Sequence, residues 1–281
     1  MHRKSLPVAL AAAALALAAH AAAAQERSLP NVSIATNLTT AAPRIAYRIG
    51  AAGSVDARAA DAQRNGRGTE ARAILAEGIR TAPTADARLQ LMDAMAVSWL
   101  YDGDARNAAL AMRALSDEAT RAGRADLAAA AHLRMALVAG ALGRSRDISE
   151  NLGDAALATP YGNASASMAW SMAGKADSAT YYAGLFEQAA RRDGGMEMLA
   201  DMHVVNGYAL LAARNCEQAL TELSAADQES AMVLSGLAQC YAAIGDRVQA
   251  RQLRARVMAL PSVNLYDDWE ALTRWQLRGI R

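Results

Sequence analysis

A glycine followed five residues later by alanine recurs along this chain, at Gly66/Ala71, Gly103/Ala108, Gly174/Ala179 and Gly245/Ala250. Two looser copies, Gly143/Ile148 and Arg214/Ala219, fill the gaps. Seven residues before each of these positions stands a small residue: Ala59, Ala96, Ala136, Ser167, Gly207 and Ala238. A repeat with this spacing constrains the fold more than any single motif, because each unit must bury its apolar face against the next. Glycine suits the left-handed backbone that ends a helix. Small residues on either side of the turn let two antiparallel helices approach closely. The unit read from the spacing is therefore a helix pair.

Large residues keep the same register. Trp99, Trp170, Leu210 and Tyr241 lie four residues before the turn, and Leu75, Met112, Leu152 and Leu223 nine after it. Pro83 and Pro160 follow at seventeen, with Pro261 one residue off. A proline there stops the second helix, because the residue before it is pushed out of the α region. Aromatics are only 5% of the chain, and alanine, its commonest residue, enters helices at the lowest cost. The fold class expected is all-α.

These residues resemble the tetratricopeptide repeat (TPR) family, most closely over residues 200–260, where SGLAQCYAAIGDRVQARQLRARVMALP carries Ala238, Tyr241, Gly245, Asp246, Ala250 and Pro261. The turns fall 37, 40, 31, 40 and 31 residues apart, against about 34 in that family, so the expectation is an irregular TPR-like solenoid of antiparallel helix pairs. Six pairs are expected over residues 51–262, followed by a C-terminal capping helix over 263–281. Trp269, Leu272 and Trp275 would give that helix an apolar face, to cover the last pair or to dock a partner.

Residues 1–24 read as a signal peptide. His2, Arg3 and Lys4 precede an apolar stretch, and Ala22-Ala23-Ala24 offers small residues for cleavage before Gln25. An uncleaved anchor is the alternative. Residues 25–50 mix Ser, Thr, Asn and Pro and read as a flexible lead-in. A chain rich in alanine, whose positive charge is nearly all arginine, suggests a bacterial source, and the leader suggests a periplasmic or secreted protein. Removing residues 1–24 takes away two positive charges and turns the formal +1 into −1. A nearly neutral protein has no electrostatic footprint for nucleic acid, and once the leader is cleaved no stable membrane insertion is expected.

Catalytic and metal signatures are missing from the reading. His132 and His203 lie seventy-one residues apart with no H-E-x-x-H, so neither a metal nor a cofactor is expected, and nothing argues for an enzyme. Cys216 and Cys240 flank a turn centred near Gln228, twelve residues from each. Two antiparallel helices folded there would set the sulfurs level, to join as a disulfide in an oxidising compartment or to remain two buried thiols.

The resemblance implies that the first helix of each pair lines a concave surface. Carried onto this chain, that surface would include Asp93, Val97 and Tyr101 in the second pair, Tyr161, Met168 and Met172 in the fourth, Tyr208 in the fifth and Gln239 in the sixth. Its expected occupant is a protein or peptide of the cell envelope held by a non-catalytic scaffold. A receptor for a small apolar ligand and an envelope enzyme are the alternatives, and the sequence leaves the oligomeric state open.

Overall fold

The computed structural model describes residues 53–260, 263–266 and 268–279. The leader read over residues 1–24 and the lead-in over 25–50 lie outside them. The described residues form helices joined by turns, with no strand among them. Six helix pairs follow one another: α1 (Val55–Arg64) with α2 (Gly68–Thr81), α3 (Ala85–Tyr101) with α4 (Ala105–Arg121), and α5 (Ala125–Ala141) with α6 (Ser145–Asn151). After one short turn, α7 (Asp154–Leu157), come α8 (Pro160–Met172) with α9 (Ala176–Asp193), α10 (Met196–Ala212) with α11 (Cys216–Ala225), and α12 (Ala231–Ala243) with α13 (Arg247–Ala259). The last helix is α14 (Asp268–Gly279).

The turn within each pair passes through a left-handed residue. At the second turn the Gly103 N–H donates to the Leu100 carbonyl at 2.9 Å and the Asp104 N–H to the Trp99 carbonyl at 3.0 Å. That double bond pattern closes a helix on a left-handed residue. Asp104 then caps α4, its side chain accepting from the Asn107 N–H. One helix thus ends at Tyr101 and the next begins at Ala105, with three residues between them. Asn215 and Asp246 cap α11 and α13 in the same way. Arg214 occupies the left-handed position at its turn with φ 59°.

The small residues of the register are where the two helices of a pair cross. Ala59, Ala96, Ala136, Ser167 and Ala238 are all wholly buried, as are Ala71, Ala108, Ile148, Ala179 and Ala219. At the fourth crossing the Ser167 hydroxyl donates to the Ala179 carbonyl at 2.9 Å. At the fifth, a methyl on Gly207 would come within 2.6 Å of Leu223. The uneven turn spacing is a matter of helix length. The forty-residue intervals hold α4 and α5, of 17 residues each, and α9 and α10, of 18 and 17. One thirty-one-residue interval holds α11 and α12, of 10 and 13. The third pair is the most irregular, because its second helix is only 7 residues long. There α5 packs directly on α8, and a side chain on Gly140 would strike the Ala169 carbonyl.

The terminal helix extends beyond a cover for the last pair. It packs on α12 and α13, and also on α3 and α5 of the second and third pairs. A helix of 12 residues is about 18 Å long. For one such rod to touch the first helices of pairs two, three and six, the array must curve around it. Residues Trp269 through Arg274 are all buried. Six successive residues turn through more than a full circle at 3.6 per turn, so this first part of α14 is enclosed on every side.

Candidate functional site

The inner face of the array divides into two parts, one filled and one open. Around the second and third pairs it is filled by the chain's own C-terminal segment. Tyr101, expected to meet a partner, accepts from the Asn264 N–H at 3.2 Å. Asp93, on α3, is buried and ion-paired with Arg134 on α5. Within the fourth and fifth pairs, the Tyr161 hydroxyl donates to Asp201 at 3.2 Å, and its ring tilts against Phe186 with centroids 5.6 Å apart. Met168 is wholly buried. These four residues are engaged inside the protein: the helix face that the sequence assigns to a ligand is here packed against its own neighbours.

The second part is a cleft of about 900 Å³ running across pairs four, five and six near their turns. It brings together the other three expected residues, Met172, Tyr208 and Gln239. Tyr208 is at its base, buried, with its hydroxyl donating to the Met232 carbonyl at 3.0 Å. Burial pushes that phenol far above its ordinary range, only partly offset by a hydrogen bond with Ser235. Tyr208 is therefore a neutral floor residue at any working pH. Met172, Leu211 and Ile244 supply apolar surface.

Two polar features of the cleft could not be foreseen from the register. Gln276 closes the wall from α14, so the terminal helix shapes the open half as well as filling the other. Ser171, also in the lining, carries a buried hydroxyl without a hydrogen-bond partner among the described residues. Arg214 and Glu217 add one charge of each sign at the rim, leaving the cleft close to neutral. The lining combines the side-chain amides of Asn215, Gln239 and Gln276 with the apolar surface of Met172, Leu211 and Ile244. Such a lining suits a ligand that is itself both polar and apolar.

Cys216 opens α11 in the cleft wall, and Cys240 lies buried on α12. Burial foremost, with the neighbouring Cys216, pushes the Cys240 thiol up to about 12. The histidines are both paired locally: His132 Nδ1 lies 3.1 Å from Asn151 Oδ1, and His203 Nδ1 2.8 Å from Glu222 Oε2. Each joins the first helix of its pair to the second. Among the described residues no three His, Cys, Asp or Glu side chains converge on a point that would hold a metal ion. None of the described helices is long and apolar enough to cross a membrane.

No protein-family model and no curated protein sequence matches the chain. Among solved structures it is similar to the crystal structure of a tetratricopeptide repeat protein from Parabacteroides merdae, at 11% identity and a TM-score of 0.37, over 79% of this chain and 97% of that one. Consecutive antiparallel pairs, left-handed turns in register and small residues at the crossings make the described residues an all-α array of helix pairs closed by its own last helix.

Proposed function

We propose that the protein is an extracytoplasmic scaffold that holds a peptide or protein partner of the cell envelope in the cleft across its fourth, fifth and sixth pairs. Helix-pair arrays of this kind generally mediate protein–protein interaction and are typically non-catalytic. The observation that carries the reading is the division of the concave surface: α14 occupies one half, while the other remains a neutral cleft of about 900 Å³. The leader-like residues 1–24 support export, and the near-neutral charge of the remainder supports a partner other than nucleic acid.

The test is capture from bacterial envelope extract by the chain from residue 25 onward, beside a Gln239→Arg/Ile244→Asp variant. Ile244 is 57% exposed, so its substitution spares the core. A partner held by the parent and lost by the folded variant supports the cleft. A partner held equally by both moves the binding surface elsewhere on the array, and no partner for either removes the scaffold reading.

A further inference from the structure

Cys216 and Cys240 are the chain's two cysteines. Cys216 is the first residue of α11, partly exposed, in the wall of the cleft. Cys240 is wholly buried on α12, α11 and α12 pack against each other, and each cysteine stands twelve residues from Gln228 in the turn between them. The turn between them is held by Gln228, whose side-chain amide donates to the Leu223 and Ala226 carbonyls at 2.9 Å each. Two packed antiparallel helices and a fastened turn thus set the two cysteines level with each other. Among the described residues no metal-binding cluster includes these thiols, and their spacing is not C-x-x-C.

We propose that Cys216 and Cys240 close to a disulfide by exchange with a disulfide-bearing oxidant that enters from the cleft and reacts first at Cys216. In the first step the Cys216 thiol loses its proton to solvent and attacks one sulfur of the oxidant. A mixed disulfide forms, and one oxidant thiolate leaves and takes up a proton. In the second step Cys240, deprotonated in turn, attacks the Cys216 sulfur. The Cys216–Cys240 bond forms, the mixed disulfide breaks, and the second oxidant thiol departs. Two protein thiols give up two electrons and two protons, and the oxidant's disulfide leaves as two thiols.

The order follows from access. Cys216 meets solvent in the cleft, whereas Cys240 has no exposed surface and reacts only with a sulfur delivered beside it. The bond would fasten the start of α11, next to the left-handed Arg214 turn, onto α12, fixing one wall of the cleft. The chemical step stands whether or not the cleft holds a partner.

Reduced full-length chain treated with oxidised glutathione and quenched in acid tests this by mass spectrometry. The expected product has lost two hydrogens, with the peptides containing residues 216 and 240 joined. Cys240→Ser and Cys240→Ala, run in parallel because the site is buried, should both stop at a glutathione adduct on Cys216. Cys216→Ser should take up glutathione at least tenfold more slowly while folded. Two thiols still free in the parent while circular dichroism shows intact helices would overturn the proposal. So would bonds formed between chains, or equal uptake by the Cys216 and Cys240 variants.

Discussion

The Tyr266 hydroxyl donates a hydrogen bond to the Asp56 carboxylate at 3.2 Å, across 210 positions of sequence. Asp56 lies in the first turn of α1, and Tyr266 lies just before α14. Gln90 on α3 donates to the same phenol at 3.0 Å. The end of the array is thereby tied to its beginning. Open repeat arrays contact only their nearest neighbours and can fray pair by pair. A chain whose last helix packs on its second, third and sixth pairs has a long-range contact that couples them.

Leu272 on α14 is almost wholly buried, and its replacement by alanine is expected to cost about 2–5 kcal/mol. The location of the loosening discriminates more sharply than its size. Native-state hydrogen exchange should quicken in α3 and α5 as well as in α12. A rise confined to α12 and α13 would show that α14 serves the last pair alone.

The left-handed turns give a graded series. Gly143, at φ 68°, has open space where a side chain would stand, whereas a Cβ on Gly103, at φ 80°, would lie 2.9 Å from Trp275. Gly143→Ala should therefore cost about 1 kcal/mol for the backbone alone. Gly103→Ala should cost more, about 2 kcal/mol or above, because α14 must also shift. Arg214→Gly should stabilise by roughly 0.5–1 kcal/mol, since relief of the left-handed strain exceeds the flexibility glycine adds to the unfolded chain. Urea midpoints measure all three. Equal losses at Gly103 and Gly143 would mean that Trp275 does not press on the second turn.

The pairs were legible because their signal is steric and local. A glycine, a small residue seven before it and an alanine five after it record the turn and the crossing, and Ala96, Gly103 and Ala108 sit where that logic puts them. The enclosure of α14 was hidden because its buried residues include Glu270, Thr273 and Arg274. Glu270 and Arg274 satisfy each other four residues apart, the Arg274 Nε donating at 2.8 Å, so polar positions that read as solvent-facing are interior. For the same reason the register marked Asp93 as a groove residue, when its partner Arg134 lies on the next pair and forty-one residues away. Met172, Tyr208 and Gln239 do reach the cleft because α14 leaves that end of the concave surface open.

The Asp93–Arg134 pair makes the cost of that interior charge measurable. Both side chains are more than nine-tenths buried. Removing one partner leaves a desolvated charge without its counterion, a loss of about 3–5 kcal/mol, whereas replacing both by apolar groups of similar volume is often neutral or better. Asp93→Leu should therefore be strongly destabilising, and Asp93→Leu/Arg134→Met should recover most of the parent's stability. Chemical denaturation of the four proteins closes the cycle. A double variant no more stable than the single one would mean that Arg134 is held by something other than Asp93.

Asp104 provides the test in pH. Its carboxylate accepts from the Asn107 N–H at 3.0 Å and from the Asn107 side-chain amide at 2.7 Å. Those bonds, the backbone one foremost, hold the carboxyl below its ordinary value. A folded value depressed below the unfolded one contributes stability that is fully present above the unfolded pKa, about 3.9, and is lost as the pH falls through the folded value. Asp104→Ala should lose about 1 kcal/mol at neutral pH, the ordinary worth of a helix N-cap, and the gap from the parent should narrow below about pH 4. Asp104→Asn keeps a neutral cap and should sit between the two at pH 7, converging on the parent in acid. Urea unfolding at several pH values decides the matter. Between about pH 5 and 8 the parent and both variants should run parallel, because the carboxyl stays ionised whether folded or unfolded. A gap that persists undiminished into acid would assign the cap's strength to geometry alone and leave its charge without effect.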